Sequence, residues 1–269
     1  MPKKLCFDRL WVLILFFAAL FFLLSCAAAG QNSAAPRIVP PDPHILRVGV
    51  TPDAPPLIFK QNHKFVGLEA DFARGLAEYL GKSPSFVELK WEDQIPALLE
   101  NRIDIIMSGM TITTLRKVRI AFCIPYLRSG QMALIRREDA ARFSTGLFTL
   151  TTSSAIGVIK NTFGEYFAEQ SYSGVKKVTF SAPQSAVKAL IDKRIDIFIY
   201  DGPMVLYLAS ENEVNGLTAL FTPLTEEYLG WGVRKDNVEL LESADKFLQT
   251  RNEEGTLNKM IKFWIPLAQ

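Results

Sequence analysis

An internal repeat constrains the fold of this chain more than any other feature. Residues 97–109 read ALLENRIDIIMSG, and residues 189–202 read ALIDKRIDIFIYDG. A second, weaker match pairs RVGV at 47–50 with AIGV at 155–158. Both copies of the longer match indicate a helix, an Arg-Ile-Asp turn and a buried strand that ends in a polar residue. Together the two matches predict two similarly built lobes.

Short apolar strands alternate with helices in the rest of the chain. The patterns predict strands over 45–50, 85–89 and 103–107, and helices over 68–80 and 93–100. This alternation predicts an α/β fold class with two Rossmann-like lobes. Because open parallel sheets bind ligands beyond the carboxyl ends of their strands, Ser108 and Asp201 become the first candidates for a shared cleft.

The N-terminal segment has a different composition. Three basic residues precede an apolar run over 10–24, which is too short to span a bilayer comfortably and fits the core of a signal peptide. Cys26 follows Leu-Leu-Ser, which resembles a bacterial lipobox. Residues 1–25 are therefore predicted to be a lipoprotein signal peptide, and 26–44 a flexible tether. Ordinary secretory cleavage and a retained transmembrane helix are the alternatives.

Charge and motifs exclude several classes of function. The chain has 30 basic and 28 acidic residues, and residues 1–25 hold three and one of these, so the remainder carries no formal net charge. Nothing favours nucleic acid as a partner. The histidines, His44 and His63, belong to no HExxH motif, and CxxC, Walker, GxGxxG and GxSxG motifs are absent. The sequence predicts neither a metal nor a cofactor.

Six motifs in order resemble the extracellular solute-binding proteins of polar amino-acid ABC transporters, which are bacterial family 3 proteins with the type II periplasmic binding fold. They are VGLEAD (66–71), Trp91 with IPAL (95–98), DIIMSGMTITTLR (104–116), AFCIPY (121–126), IYDG (199–202) and GWGVRK (230–235). The resemblance implies crossovers near 126–131 and 226–230. Lobe 1 is then expected over 45–127 plus 229–269, and lobe 2 over 128–228.

The resemblance also implies a site for a free amino acid. Arg116 is expected to bind the carboxylate through two parallel hydrogen bonds, and Asp201 to accept the ammonium from the other lobe. A solvated helix arginine and a helix-capping aspartate are the ordinary alternatives. The other expected ligand contacts are Ser108, Gly109, Thr111, Trp91, Thr162 and Asp53. For Trp91 the alternative is core packing, and for Asp53 it is a turn role.

The sequence departs from the family pattern at two places. Asn161-Thr162-Phe163 stands where relatives usually have Gly-Thr-Thr or Gly-Ser-Thr, which leaves the path of this loop open. Ala54 stands where many relatives have an aromatic residue, a role that Phe163 is able to take over.

The resemblance implies a substrate-binding lipoprotein that captures an amino acid, polar or basic, by lobe closure and delivers it to an ABC permease. We expect a monomer that is exported to the periplasm or the outer face of the cell membrane and anchored there through Cys26.

One enzyme remains as an alternative. Cyclohexadienyl dehydratases share the fold and are similar around MSGMTIT (107–113) and FCIPYLRSG (122–130). In them a cleft glutamate acts as the general acid on arogenate or prephenate. Glu165 is the matching residue here. Ordinary binding proteins often carry glutamate at this place too, where it favours the helix dipole.

Overall fold

The computed structural model describes residues 42–266. The predicted signal peptide, Cys26 and most of the predicted tether lie outside this range. The helices described are α1 (Leu68–Tyr79), α2 (Gln94–Leu99), α3 (Thr114–Arg119), α4 (Phe163–Ser171), α5 (Pro183–Ile191), α6 (Gly202–Glu211), α7 (Val238–Glu253) and α8 (Thr256–Trp264). Among the described helices, none combines the length and apolarity that crossing a membrane would require.

The strands are short and lie in four sheets. They are β1 (Ile45–Val50), β2 (Asp53–Ala54), β3 (Ile58–Gln61), β4 (Lys64–Val66), β5 (Ser83–Glu88), β6 (Ile105–Ile106), β7 (Ala121–Phe122), β8 (Leu127–Ser129), β9 (Gln131–Arg136), β10 (Ala155–Ile159), β11 (Lys176–Phe180), β12 (Ile197–Asp201), β13 (Leu217–Leu220), β14 (Glu227–Leu229) and β15 (Gly232–Val233).

Two five-stranded sheets form the two lobes. Lobe 1 contains the order β5-β1-β6-β15-β7, and lobe 2 contains β11-β10-β12-β9-β13. In each sheet the first three strands are parallel and the last two pair antiparallel. The predicted two-lobed α/β class is confirmed. The antiparallel strands β9 and β15 follow the segments in which the chain passes from one sheet to the other.

The two passing segments pair with each other. Strands β8 and β14 form an antiparallel ladder that joins Leu127 to Leu229 and Ser129 to Glu227. Both strands lie in the segments for which the resemblance implied crossovers. The lobe boundaries at 127/128 and 228/229 stay a prediction.

The sequence repeat corresponds to a repeated set of main-chain bonds. The Asp104 N–H donates to the carbonyl of Arg47, and the Asp104 carboxylate accepts from the Arg47 N–H, both at 2.8 Å. Asp196 makes the same two bonds with Ala155, again at 2.8 Å. Arg47 and Ala155 are the first residues of the weaker sequence match. The two matches are therefore parts of one structural unit. In this unit an aspartate in the turn before one strand forms hydrogen bonds with the backbone of the neighbouring strand.

Helix α1 shows how apolar spacing builds the lobe 1 core. Leu68, Phe72 and Leu76 are at most 1% exposed and lie along one face of the helix. The helix ends at Tyr79, one residue before the predicted end, and Gly81 has a φ of +65°, which glycine adopts freely.

Candidate functional site

A cavity of about 450 Å³ is lined by residues from both lobes. Its volume lies within the range of small-molecule sites. All eight residues predicted to contact a ligand line this cavity: Asp53, Trp91, Ser108, Gly109, Thr111, Arg116, Thr162 and Asp201. The structure therefore brings together side chains that are up to 148 residues apart in the chain.

Arg116 projects from the first turn of α3. The hydroxyl of the cap residue Thr113 accepts a hydrogen bond from the Arg116 N–H at 3.2 Å. The guanidinium donates to the carbonyl of Thr111 at 2.7 Å, and its central carbon lies 5.2 Å from the centre of a Trp91 ring. These contacts hold the guanidinium at the cavity rather than in solvent. Four N–H groups of its fork remain beyond the one that Thr111 accepts.

Asp201 ends β12 and stands at the N-terminus of α6. Its carboxylate forms no capping bond to that helix and instead accepts from Gln131 Nε2 at 2.5 Å. Burial, and secondly the nearby Glu227 carboxylate, raise the pKa of Asp201 to about 7. Burial lowers the pKa of Arg116, while the charges of Asp201 and Glu227 act in the opposite direction. The Asp201 side chain therefore does not cap α6, which was the alternative role considered for it.

A second buried carboxylate, Glu227, was missed in the sequence. It is 5% exposed and comes from the crossover strand β14. Its carboxylate accepts from Thr111 Oγ1 at 3.1 Å, from Gln131 Nε2 at 3.1 Å and from Thr225 Oγ1 at 2.5 Å. The partners Thr111 and Gln131 are 116 and 96 residues away, and no local pattern marks them.

Ser108 and Gly109 shape the lobe 1 wall. The Ser108 hydroxyl oxygen accepts from the Thr51 N–H at 2.7 Å, which leaves its proton for another acceptor. Gly109 has a φ of +68°, and its N–H donates to Glu69 at 2.7 Å. That N–H is therefore occupied, and Gly109 serves the site by its backbone conformation.

Glu69 belongs to the VGLEAD motif but was assigned no role from the sequence; it lies beneath this wall and is fully buried. It also accepts from the Tyr126 hydroxyl at 2.6 Å and from Trp231 Nε1 at 2.8 Å. Burial raises the pKa of Glu69 to about 7, against the lowering effect of these hydrogen bonds. Glu69 thus joins the Gly109 loop to residues that adjoin both crossover strands.

Trp91 and Asn161 connect the two lobes directly. The Trp91 indole N–H in lobe 1 donates to the Asn161 carbonyl in lobe 2 at 2.9 Å. Asn161 has a φ of +60°, a conformation that glycine adopts freely and asparagine tolerates better than most residues. Asparagine can therefore replace the glycine that relatives usually have at this position. Thr162 caps α4, and its hydroxyl donates to the carbonyl of Ile159 at 2.7 Å.

The departures from the family pattern also lie at this cavity. Ala54 and Phe163 both line it, so an aromatic ring from lobe 2 is present where the lobe 1 loop lacks one. Asp53 lies in β2, and burial raises its pKa to about 6.

Glu165 has a different environment. Its carboxylate accepts from the Asn161 N–H at 2.7 Å and from Thr179 Oγ1 at 3.1 Å. It lines an adjoining cavity of about 550 Å³, which shares Thr111, Arg116 and Thr162 with the first. Between residues 42 and 266, no group of three or more His, Cys, Asp or Glu side chains is placed to hold a metal ion.

Comparisons with known proteins show which family the chain resembles. Residues 46–266 match the model of the bacterial extracellular solute-binding proteins, family 3. The chain is 27% identical over 220 residues to the L-cystine-binding protein TcyJ of Escherichia coli (strain K12), covering 81% of this chain and 82% of that protein. It is 28% identical over 187 residues to a cyclohexadienyl dehydratase of Pseudomonas aeruginosa, covering 68% of each.

A solved structure with high similarity is the putative binding component of an ABC transporter from Wolinella succinogenes, complexed with lysine. Its TM-score is 0.78 at 27% identity, covering 82% of this chain and 96% of that one.

Proposed function

The chain belongs to the bacterial extracellular solute-binding proteins of family 3, and from this premise we propose that it captures an α-amino acid between its lobes and delivers it to an ABC permease. One observation carries the proposal. Arg116 from lobe 1 and Asp201 from lobe 2 line the same cavity, and each affects the pKa of the other. A guanidinium and a carboxylate in this arrangement complement the two charges of a zwitterion.

We propose further that the side chain of the ligand is cationic. Once Arg116 and Asp201 are neutralised by the ligand, the cavity retains the acids Asp53, Glu88 and Glu92 against one base, Lys90. Lys60 pairs with Glu88 from outside the lining, which still leaves more acids than bases. A positive side chain would compensate the partly desolvated Asp53. The Wolinella succinogenes structure complexed with lysine supports this choice.

We propose no catalytic activity, although the dehydratase relative makes this the alternative to test. The Glu165 carboxylate is occupied by two hydrogen bonds near the N-terminus of α4 and is not among the residues that line the 450 Å³ cavity. A general acid must reach the group that it protonates.

Export, lipidation and a monomeric state complete the proposal. The segment 1–26 supports a signal peptide and attachment of lipid at Cys26, as expected from its composition. Mass spectrometry of the membrane-extracted protein tests the anchor: a diacylated N-terminal Cys26 is expected, and an unmodified N-terminus at another residue would contradict it.

The binding proposal is tested by a thermal-shift panel of L-lysine, L-arginine, L-histidine, L-glutamine, L-cystine, arogenate and prephenate. Ligand at a hundredfold excess over its Kd stabilises a protein by about 2.7 kcal/mol. We expect the largest shift with L-lysine or L-arginine. If no amino acid shifts the transition, the binding proposal is wrong. Turnover of arogenate that is lost in Glu165→Gln would establish the enzyme instead.

A further inference from the structure

A continuous series of hydrogen bonds joins the two proposed ligand anchors, and its middle residue, Glu227, lines the adjoining 550 Å³ cavity. Arg116 donates to the carbonyl of Thr111, and the hydroxyl of the same threonine donates to Glu227 at 3.1 Å. Gln131 Nε2 then donates both to Glu227 at 3.1 Å and to Asp201 at 2.5 Å. Every link between the lobe 1 anchor and the lobe 2 anchor is thus a direct contact, and Glu227 is the middle link.

Glu227 lies where the chain passes between lobes. Its strand, β14, pairs with β8, and the residue after β8 and Gly130 is Gln131 at the start of β9. Thr111 itself forms an isolated bridge with Leu229 of the same strand. The carboxylate therefore has one partner in lobe 1 and two, Gln131 and Thr225, on the lobe 2 side.

When both carboxylates are ionised, Gln131 connects them in only one orientation. It is fully buried, and its NH₂ group faces Asp201 and Glu227. A flipped amide would place its oxygen against two carboxylates, which accept but do not donate when ionised. Glu227 thus helps to fix the amide that orients the Asp201 carboxylate.

We propose that Glu227 is a positioning residue for ligand recognition, which holds Asp201, through Gln131, in the orientation that receives the α-ammonium of the ligand. This inference rests on the proposed function and goes beyond it by assigning a role to a residue that does not line the 450 Å³ cavity. Hydrogen bonds to charged groups are the strong ones in proteins, so loss of the orienting link has a measurable effect on affinity.

The test compares L-lysine with 6-aminohexanoate, which lacks only the α-ammonium, by calorimetry and competition. In Glu227→Gln the amide oxygen still accepts from Gln131 but carries no charge, so Asp201 is held less firmly and we expect L-lysine to bind about tenfold more weakly. For 6-aminohexanoate we expect a change below about threefold, since nothing in this ligand contacts Asp201. A purely structural role for Glu227 would weaken both ligands equally, and that result, like no change for L-lysine, would overturn the proposal.

Glu226→Gln is the matched control. It makes the same chemical change one residue away, at an exposed glutamate that pairs with Arg128 on the surface. We expect both ligands to bind this variant as they bind the wild type. If Glu227→Gln does not fold, Glu227→Asp retains the charge but shortens the reach, and the same selective loss for L-lysine is expected at a smaller magnitude.

The pH profile supplies an independent readout. The ionisable groups that interact with Asp201 are Glu227, Arg116, Tyr126 and Tyr200, and only Glu227 contributes a second negative charge in this set. L-lysine affinity should fall below about pH 7 as Asp201 is protonated. In Glu227→Gln this fall should move to lower pH because the repulsion that raises the Asp201 pKa is removed. An unchanged midpoint would contradict the electrostatic interaction between the two carboxylates.

The two proposals fail in different ways. If the wild type binds neither L-lysine nor any other amino acid of the panel, the proposed function is wrong and this inference falls with it. If the wild type binds L-lysine and Glu227→Gln binds it equally well, the inference alone is wrong.

Discussion

The two halves of the repeat share their main-chain bonds but differ at the ends of their strands. In lobe 1 the repeated strand leads into Ser108 and Gly109, and the ligand anchor, Arg116, follows ten residues after β6 on a short helix. In lobe 2 the strand ends directly at Asp201, and α6 starts at the next residue. The shared bonds fix where each strand begins, and the loops that follow the strands decide which charge each lobe presents.

The same comparison holds at the other end of the strands. Asp104 forms a two-point ion pair with Arg47, whereas Asp196 pairs with Arg142, because the residue that corresponds to Arg47 is Ala155. The repeated aspartate thus keeps its bond to the neighbouring backbone and takes its cation from a different element in each lobe. The two lobes therefore share this backbone geometry although the side chains around it differ.

The largest expected effect is loss of the lobe 1 anchor. Arg116→Ala removes the cation that faces Asp201 and the ligand carboxylate, and we expect L-lysine to bind about a thousandfold more weakly. Isothermal titration calorimetry measures this. Arg119→Ala, an exposed arginine in the same helix, is the matched control and should retain wild-type affinity. If Arg116→Ala binds as tightly as the control, the comparison of anchors is wrong.

The lobe 2 anchor should instead show a pH-dependent cost in stability. The folded-state pKa of Asp201 is raised to about 7 from an ordinary 3.8, so the folded protein holds a proton that the unfolded chain has lost between these values. The stability of the ligand-free protein therefore falls as pH rises from about 4 to about 7. An asparagine at position 201 does not titrate. We therefore expect the unfolding free energy of Asp201→Asn to exceed that of the wild type by an amount that grows across this pH range to on the order of 3 kcal/mol.

Urea unfolding at pH 4.5, 6 and 8 without ligand measures this difference. With saturating L-lysine the order should reverse at pH 8, because the α-ammonium compensates the Asp201 carboxylate of the wild type. A difference between variant and wild type that does not change with pH would contradict the assigned burial of the charge.

The repeated aspartates differ by a smaller amount. Asp104→Ala leaves Arg47 without its two-point partner at a site where both side chains are at most 20% exposed, and we expect a loss of about 3 kcal/mol in unfolding free energy. Asp196→Ala removes a one-point, more exposed ion pair with Arg142 together with the bond from the Ala155 N–H, and should lose about 2 kcal/mol. Urea unfolding measures both. Asp236→Ala, at a surface aspartate, should be near neutral, and a larger loss for Asp196→Ala than for Asp104→Ala would reverse the comparison.

Local patterns predicted the helices and strands of the repeated unit because the residues that determine each element lie close together in the chain. The helix over 68–80 and the strand over 45–50 follow from apolar spacing, and the aspartates from their recurrence. The strand predicted over 103–107 is shorter in the structure, where β6 comprises only Ile105–Ile106. The apolar residues on either side of β6 were also predicted to be strand. A residue that is only buried and one that pairs in a strand give the same local sequence pattern.

The sequence indicated the candidate anchors but not what supports them. Arg116 and Asp201 follow strand ends, where α/β folds place ligands, and so could be named in advance. Glu69, Gln131 and Glu227 are polar residues, most of whose side-chain partners lie 40 to 162 residues away. Their roles depend on how the crossovers pack, and this packing is a property of the tertiary structure alone.

The smallest expected effect concerns a pair of equivalent turn residues. Asn101 and Lys193 precede the repeated Arg-Ile-Asp and have φ values of +59° and +58°. Asn101 is tolerated in this conformation, and its side-chain oxygen accepts hydrogen bonds from Arg47 and Arg234, so Asn101→Gly should lose about 1 kcal/mol. The Lys193 side chain forms a surface ion pair with Glu138, and a residue with a side chain disfavours a positive φ.

Lys193→Gly should therefore raise the unfolding free energy by about 0.5 kcal/mol, because relief of backbone strain exceeds the greater freedom of glycine in the unfolded chain. Glu138→Gln isolates the contribution of the ion pair and should change the free energy by less than the glycine substitution does. Thermal unfolding of the three variants side by side measures the differences. If both glycine variants shift the unfolding temperature in the same direction, the two turns respond alike to loss of their side chains. The lobes then do not differ at these backbone positions.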